Sequence, residues 1–302
     1  MKETILITGY NGSLSKRLSN EINKDIYNIK YLTTQKKYCS KNVFYWNTNN
    51  NYIDESAIID THHIIHLAGY NISNRWTKSN KEKMYESRVY TCKLLYESCL
   101  RLNVKPKTFI SASAMGYYGF HQSGIKKETD SPQKDWMSTL CLDWEKMANQ
   151  FNILNTRVCK LRLALILEKD SEIIQKTKLG FHFGMGAVFG DGKQPFPWIH
   201  IDDVVNFIIF TLRNQTIKGT YNVASTEKTS FYQFIKAFKK VRYNNSILIF
   251  IPRFIIKWIL REKTKLIFND FYLSVEKMQK TKFKLKYDTI EKAIDKEINL
   301  IA

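Results

Sequence analysis

Short apolar runs alternate with helical segments through the first two-thirds of this 302-residue chain. Six of the runs are rich in β-branched or aromatic residues and are bounded by polar or turn residues, which is typical of strands. They cover residues 4–8, 28–33, 43–46, 63–67, 107–111 and 157–161. Because strands that alternate with helices become parallel neighbours joined by right-handed crossovers, the sequence predicts an α/β fold with a doubly wound parallel sheet.

The alternation changes after residue 167. Before it, the longest helical pattern covers residues 78–102 and ends ahead of Pro106, which cannot continue a helix. After it, Ser230 and Gln233 have the spacing of a capping box and predict a helix start. We therefore expect a first domain of residues 1–167, joined by returning segments near 195–225, and a smaller C-terminal α+β lobe of residues 168–302.

The charge balance is strongly basic, with 47 Lys plus Arg against 28 Asp plus Glu and a net charge of +19. A field of this sign attracts polyanions. The lysines are nevertheless scattered along the chain, and no nucleic-acid-binding motif is present. Compositional bias is therefore the preferred interpretation and no nucleic-acid partner is expected. Binding of RNA or DNA that weakens steeply with salt is the alternative.

Cysteine usage and hydropathy indicate the compartment. The five cysteines form neither a C-x-x-C pair nor a zinc spacing, so we expect no metal site and a reducing environment. The most apolar late stretch, residues 247–260, contains Pro252, Arg253 and Lys257 and is shorter than a membrane helix requires. The N-terminus leads directly into a strand-like run. These features predict a cytoplasmic protein without a membrane partner.

The segment TGYNGSLS, residues 8–15, lies between the first predicted strand and the first helix. Gly9 and Gly12 have the spacing of the pattern G-x-x-G-x-x-G, and Ser15 takes the place of the third glycine. Glycine lets the backbone turn sharply and approach a pyrophosphate, which then binds N–H groups at the start of the helix. The segment therefore predicts a dinucleotide site.

The residues after the second predicted strand bear on the choice of cofactor. An acidic residue there would accept a hydrogen bond from the ribose 2′-hydroxyl of NAD, whereas a basic residue suits the phosphate of NADP. The chain continues as Thr33, Thr34, Gln35, Lys36 and Lys37, without a carboxylate. NADP is therefore the predicted cofactor, with NAD as the alternative.

Three further motifs identify a family. His66-Leu67-Ala68-Gly69 closes the fourth strand and is followed by Arg75-Trp76, FISASAMGYYG occupies residues 109–119, and WIHIDD occupies residues 198–203. With the N-terminal loop, these motifs resemble the extended short-chain dehydrogenase/reductases. They are most similar to the YfcH-type epimerase family proteins, which end in a short domain of unknown function. The resemblance covers essentially the whole chain and implies a Rossmann fold.

The resemblance also implies binding residues. Six residues of the loop would bind the pyrophosphate: Gly9, Tyr10, Asn11, Gly12, Ser13 and Leu14. Leu67, Ala68 and Gly69 would line the adenine and ribose side, although a simple strand end is the plainer interpretation. Thr33 and Thr34, where the second strand ends, are candidate cofactor-binding residues, and Ser111 and Ser113 would lie near the nicotinamide.

The catalytic pair of that superfamily is missing. Active members use a Tyr-x-x-x-Lys pair, in which the lysine ammonium stabilises the tyrosine phenolate for proton transfer. Counting back from Glu145, the tyrosine position falls on Met137 and the lysine position on Cys141. Neither a thioether nor a neutral thiol replaces that pair.

Other residues are candidates for chemistry. Ser113 matches the superfamily's serine, Tyr117 or Tyr118 would supply a phenol, and Cys141 would act as a thiolate in an electropositive site. For the tyrosines and Cys141, packing is the competing interpretation. Arg75 and Trp76 are candidate substrate contacts. Lys193, Arg162 and Gln194 would add further contacts, and for these three a solvated basic face is the competing interpretation. His200 is interpreted as a packed histidine, and Asp202 and Asp203 as first-turn acids of a helix.

Together these features predict an NADP-binding, epimerase/dehydratase-like oxidoreductase that lacks the usual Tyr-x-x-x-Lys pair. Its partner would be a small-molecule substrate, and an exposed Arg75 would suit an anionic one. The alternative is a non-catalytic protein that senses a dinucleotide or acts as a scaffold.

Overall fold

The structure is a computed structural model that describes residues 2–120 and 122–299. The described residues form fourteen β-strands and eleven α-helices. The strands are β1 (Glu3–Thr8), β2 (Tyr27–Thr33), β3 (Val43–Asn47), β4 (Tyr52–Ile53), β5 (His63–His66), β6 (Thr108–Ala114), β7 (Ser123–Lys126), β8 (Arg157–Leu163), β9 (Leu165–Leu167), β10 (Met185–Phe189), β11 (Trp198–His200), β12 (Gly219–Val223), β13 (Ile247–Ile251) and β14 (Asp270–Leu273). The helices are α1 (Ser13–Glu21), α2 (Lys78–Tyr85), α3 (Thr91–Arg101), α4 (Trp136–Asn149), α5 (Glu172–His182), α6 (Ile201–Arg213), α7 (Phe231–Val241), α8 (Arg253–Leu260), α9 (Thr264–Ile267), α10 (Glu276–Lys280) and α11 (Ile290–Asn299).

Eight strands form the central sheet in the order β12-β8-β6-β5-β1-β2-β3-β4. The pairs from β6 through β5, β1 and β2 to β3 are parallel, whereas the short β4 is antiparallel to β3. The strand order reverses direction beside β1, which places the carboxyl ends of β1 and β5 at a topological switch point. Open α/β sheets bind their ligands at such a point.

All six predicted strands are present, with bounds that differ by at most three residues. The strands β1, β5 and β6 consist almost wholly of buried residues, because helices cover both faces of a parallel sheet. The predicted α/β fold with a doubly wound parallel sheet is confirmed.

The predicted long helix over residues 78–102 is helical from residue 78 to residue 101, but its middle departs from α geometry. A π-helical segment, Glu86–Tyr90, lies between α2 and α3. Segments of this kind are rare and often occur at functional sites. Arg88 lies in this segment, and its guanidinium donates to the carbonyls of Tyr70 and Met84, each at 3.1 Å.

The chain divides into two compact units. The first comprises residues 1–117, 136–162 and 205–221, and the second comprises residues 118–135, 163–204 and 222–302. The second unit has a core rich in aromatic residues, in which Phe181 stacks on Phe238 at 5.6 Å and Phe196 stacks on Phe234 at 4.4 Å. The domain bounds of the sequence analysis stay a prediction.

Local signals in the second unit correspond to its structure. Ser230 and Gln233 form the predicted capping box at the start of α7. The backbone N–H of Gln233 donates to Ser230 Oγ, and the backbone N–H of Ser230 donates to Gln233 Oε1. In the same unit, β13 pairs in parallel with β10. Across the described part of the chain, none of the helices combines the length and the apolar character needed to cross a membrane.

Candidate functional site

The glycine loop follows β1 and leads into α1. Gly9 has a φ of +78°, a conformation that side chains disfavour. A Cβ there would lie 3.2 Å from the Leu67 carbonyl oxygen and 3.3 Å from Ala68 Cα, so the loop and the end of β5 approach more closely than a side chain allows. Gly12 is exposed and caps α1, whose first-turn N–H groups have no acceptor within the helix. The loop thus has the form of an anion cradle.

The hydroxyl of Thr8, the last residue of β1, binds the residues that follow β5. Thr8 Oγ1 accepts hydrogen bonds from the N–H groups of Leu67 and Ala68, at 3.0 and 2.9 Å. Gly69 is exposed, and a Cβ on it would lie 3.0 Å from the guanidinium carbon of Arg88. The absence of a side chain at Gly69 therefore lets that guanidinium lie beside the strand end. No motif in the sequence marks Arg88 as a site residue.

His66, the last residue of β5, has a structural role. Trp144 Nε1 is a donor only, and it donates to His66 Nδ1 at 3.2 Å, so the ring carries its hydrogen on Nε2. That nitrogen donates to Thr91 Oγ1 at 3.0 Å. Burial lowers the pKa of His66 to about 3. The ring is therefore neutral and joins β5 to α3 and α4.

The residues after β2 are basic and exposed. Thr33 is buried, whereas Thr34, Lys36 and Lys37 are exposed, and residues 33–41 contain no carboxylate. The ring of Tyr10 packs against Tyr31 and Tyr38, with centroids 5.3 and 6.1 Å apart. The glycine loop and the end of β2 are thereby held next to each other.

Ser113 lies near the carboxyl end of β6 and contacts a buried ion pair. Its Oγ donates to Glu145 Oε1 at 2.7 Å. The same carboxylate accepts from Arg162 Nε at 2.8 Å and from a terminal Arg162 nitrogen at 3.0 Å. Ser113, Glu145 and Arg162 are each at most 5% exposed. The hydroxyl hydrogen of Ser113 is thus committed to Glu145, and its oxygen remains an acceptor. Ser111, also buried, donates instead to the Ala112 carbonyl at 2.9 Å.

The two tyrosines after β6 have different surroundings. The guanidinium carbon of Arg162 lies 3.3 Å from the ring centroid of Tyr117, so the ring stacks on the cation. Burial raises the pKa of Tyr117, and the charge of Arg162 acts in the opposite direction. Tyr118 belongs to the second unit, is fully buried and donates to Asn222 Oδ1 at 2.7 Å. These contacts agree with the packing interpretation of Tyr118, and its catalytic role stays a prediction.

Met137 and Cys141, at the positions of the missing Tyr-x-x-x-Lys pair, lie on the buried face of α4. A Cβ on Gly116 would lie 2.5 Å from Met137 Cγ and 3.6 Å from Cys141 Sγ, so both side chains pack against the residues that follow β6. Burial raises the pKa of Cys141 to about 12, with the charge of Glu145 as a further cause. This environment favours the neutral thiol over the thiolate.

The candidate substrate residues are divided between the units. Arg75 is exposed, but Trp76 is buried, with its ring 4.7 Å from that of Trp136 and its indole N–H donating to the Ile72 carbonyl. Lys193 is an exposed residue of the second unit. The interpretation of Arg162 and Gln194 as a solvated basic face is wrong, because both side chains are buried.

The WIHIDD motif serves packing within the second unit. His200 Nε2 lies 2.6 Å from Glu297 Oε1, and the carboxylate of Asp203 accepts the N–H groups of Lys286 and Tyr287, at 2.6 and 3.0 Å. Burial raises the pKa of Asp203. The motif thus fixes the start of α6 to the C-terminal segment. Over the described residues, no group of three or more His, Cys, Asp or Glu side chains could hold a metal ion.

From the sequence, Glu145 was not assigned to a site, and Arg162 was named only as a candidate substrate contact. A signal for them exists, since Arg162 interrupts the apolar run of β8 and Glu145 lies on the buried face of α4. A charge in such a position needs a partner. The order of apolar and charged residues along the sequence does not show which residue that partner is.

The doubly wound sheet and the glycine loop at its switch point define an NAD(P)-binding protein of the Rossmann type. More narrowly, the chain belongs to the NAD dependent epimerase/dehydratase family, whose model matches residues 5–224. The resemblance noted from the sequence motifs is thereby confirmed.

Relatives and solved structures agree with this assignment. The chain is 29% identical over 296 residues to an epimerase family protein of Staphylococcus saprophyticus, covering 96% of this chain and 97% of that protein. The fold is similar to the human epimerase family protein SDR39U1 solved with NADPH, with a TM-score of 0.85, 18% identity and coverage of 99% and 100% of the two chains. It is also similar to the UDP-glucuronic acid 4-epimerase of Bacillus cereus in complex with NAD, with a TM-score of 0.76, 16% identity and coverage of 98% and 96%.

Proposed function

We propose that the protein is an NADP-dependent oxidoreductase of the epimerase/dehydratase type that acts on a small molecule through Ser113. The observation that carries the proposal is the exposed glycine loop at the switch point, flanked by Lys36 and Lys37 and without a carboxylate at the end of β2. This combination suits a pyrophosphate together with a ribose 2′-phosphate. The human relative in fold was solved with NADPH, which agrees with this choice.

The cofactor contacts follow from the loop. Residues 9–14 would bind the pyrophosphate through N–H groups at the positive end of α1. Leu67, Ala68 and Gly69 would line the adenosine side, and Thr33 and Thr34 would lie beside the ribose. Ser111 would lie near the nicotinamide. The fit of a pyrophosphate to the loop is supported by Gly9 and Gly12, because side chains at these positions would occupy space within the loop.

When bound, the nicotinamide supplies or accepts a hydride, and the protein has to handle the accompanying proton. The oxygen of Ser113 is free to accept a hydrogen bond from a substrate hydroxyl, since its own hydrogen is donated to Glu145. As the hydroxyl becomes a carbonyl, its proton moves to Ser113 Oγ while the Ser113 proton moves to Glu145. Arg162 balances the charge of that carboxylate in the resting state. Tyr117, stacked on Arg162, would supply a second hydroxyl near the substrate.

Residues outside the glycine loop are proposed to contact the substrate. Arg75 is exposed and suits an anionic group. Trp76 would act by fixing the loop that carries Arg75, because its ring packs on Trp136. Lys193 stays a prediction. Epimerases of similar fold were solved with UDP-glucose and with UDP-glucuronic acid, so nucleotide sugars are the first compounds to test.

Charge reversal at the end of β2 should change cofactor preference. In the variant Lys36→Glu/Lys37→Glu we expect NADPH to bind about tenfold more weakly, because two cations beside the 2′-phosphate become anions, while the NADH affinity changes little. Fluorescence titration with both cofactors measures this. The matched control Lys24→Glu/Lys105→Glu makes the same charge change at two other exposed positions. They precede β2 and β6, so they lie at the amino ends of the strands, whereas the glycine loop lies at the carboxyl ends. Equal losses in the two variants would contradict the assignment of Lys36 and Lys37.

Removal of the Ser113 hydroxyl should slow turnover. With NADP and a panel of nucleotide sugars, or with NADPH and a panel of aldehydes and ketones, we expect a change in NADPH absorbance whose rate falls about a hundredfold in Ser113→Ala, because the proton relay through the hydroxyl is lost, at unchanged NADPH affinity. Ser98→Ala, another buried serine, should leave the rate unchanged. Turnover at the wild-type rate in Ser113→Ala would exclude the proposed role of this residue. NADPH binding without turnover of any compound would favour the non-catalytic alternative, which the missing Tyr-x-x-x-Lys pair suggests.

A further inference from the structure

Residues 247–261, which form β13 and α8, expose an unusual amount of apolar surface. Trp258 is 83% exposed and Phe254 is 72% exposed, and Ile247 and Ile259 are each at least 60% exposed. Single exposed apolar residues are ordinary on protein surfaces, but a run of large ones within a short segment marks an interaction site. We call residues 247–261 the basic apolar segment.

The local structure explains why these side chains point outward. The helix α8 buries Ile256 against the second unit, whereas Phe254 and Trp258 are four residues apart and lie on the same side of the helix, away from Ile256. In β13, Ile247 and Ile249 lie on one face of a two-stranded sheet and are both exposed. Folding of the second unit therefore leaves this apolar surface without a partner inside the unit.

The charges of the segment have a single sign. Arg253, Lys257 and Arg261 are exposed, and residues 247–261 contain no Asp or Glu. The whole chain carries a net charge of +19, which adds to the local positive potential. An exposed Trp and Phe on a helix that also carries Lys and Arg are typical of helices that lie in a membrane interface.

We propose that the basic apolar segment binds the surface of a membrane that contains anionic phospholipid, with Phe254 and Trp258 inserted among the headgroups. The cations of the segment match the negative lipid charge, and the apolar side chains leave water on insertion. A second copy of the chain fits less well, because a two-fold contact would bring the same three cations against each other. The segment lies on the membrane without spanning it. The proposal departs from the sequence-based expectation of no membrane partner.

Vesicle sedimentation tests the proposal with the full-length protein. We expect it to sediment with vesicles of phosphatidylglycerol and phosphatidylcholine in equal parts, but not with phosphatidylcholine alone, and to be released by high salt. In Phe254→Ser/Trp258→Ser, binding should weaken at least tenfold, because two inserted side chains are lost. Lys257→Glu should weaken it at least fivefold through the lost cation. The control Leu100→Ser/Ile153→Ser alters exposed apolar residues of the first unit and should bind as the wild type does.

Three results would overturn the proposal. They are absence of sedimentation with anionic vesicles, equal sedimentation with neutral vesicles, and unchanged binding by both segment variants. Light scattering of the free protein adds a separate criterion, since a dimer that Phe254→Ser/Trp258→Ser dissociates would make a second copy the occupant. The altered side chains are exposed, so these variants should keep the thermal stability of the wild type.

Discussion

The variant Gly12→Asp should lose NADPH binding, with an affinity at least a hundredfold below that of the wild type. A carboxylate about 4 Å from a pyrophosphate charge costs on the order of 4 kcal/mol at a protein surface. Gly12 has a φ of −69° and is exposed, so the backbone accepts a side chain there, although a Cβ would lie 3.2 Å from the Gly9 carbonyl oxygen. The thermal unfolding temperature with and without NADPH measures the effect, since a ligand stabilises only a protein that binds it.

The isosteric variant Gly12→Asn separates charge from size. It adds a side chain of the same shape without the negative charge, so we expect it to retain more NADPH binding than Gly12→Asp. The unfolding temperature of each variant without cofactor should stay near that of the wild type. An NADPH shift in Gly12→Asp as large as in the wild type would place the pyrophosphate elsewhere and remove the basis of the proposed function.

Removal of Arg162 should destabilise the first unit by about 3–5 kcal/mol, because it leaves the carboxylate of Glu145 buried without a compensating cation. The variant Arg162→Leu keeps apolar volume in β8, so the lost charge is the main change. Urea unfolding gives the free energy. The control Arg101→Leu breaks an exposed ion pair with Glu55, for which a loss of less than about 1 kcal/mol is expected.

A double variant identifies the cause of the destabilisation in Arg162→Leu. In Glu145→Gln/Arg162→Leu the amide still accepts the hydrogen bond of Ser113 but carries no charge, so we expect it to be more stable than Arg162→Leu alone. If the two are equally unstable, the loss comes from packing on Tyr117 and the buried charge is not the cause.

The family and the central sheet could be read from the sequence because their signals are local or ordered along the chain. Gly9 and Gly12 are three residues apart, Ser230 and Gln233 likewise, and each parallel strand is a short buried run. The environments of Ser113 and Trp76 could not be read in this way. Ser113 meets Glu145, 32 positions away, and Trp76 packs on Trp136, 60 positions away.

The sequence by itself determined the alternation of strands and helices, the glycine loop and the family, because backbone conformation and burial follow from residues within a few positions of each other. Only the tertiary structure decided that Arg162 is a buried partner of Glu145, that His66 is neutral and structural, and that Phe254 and Trp258 point into solvent. The physical reason is that a charge, a ring nitrogen or an apolar face takes its role from whatever the fold brings against it, and those partners lie far away along the chain.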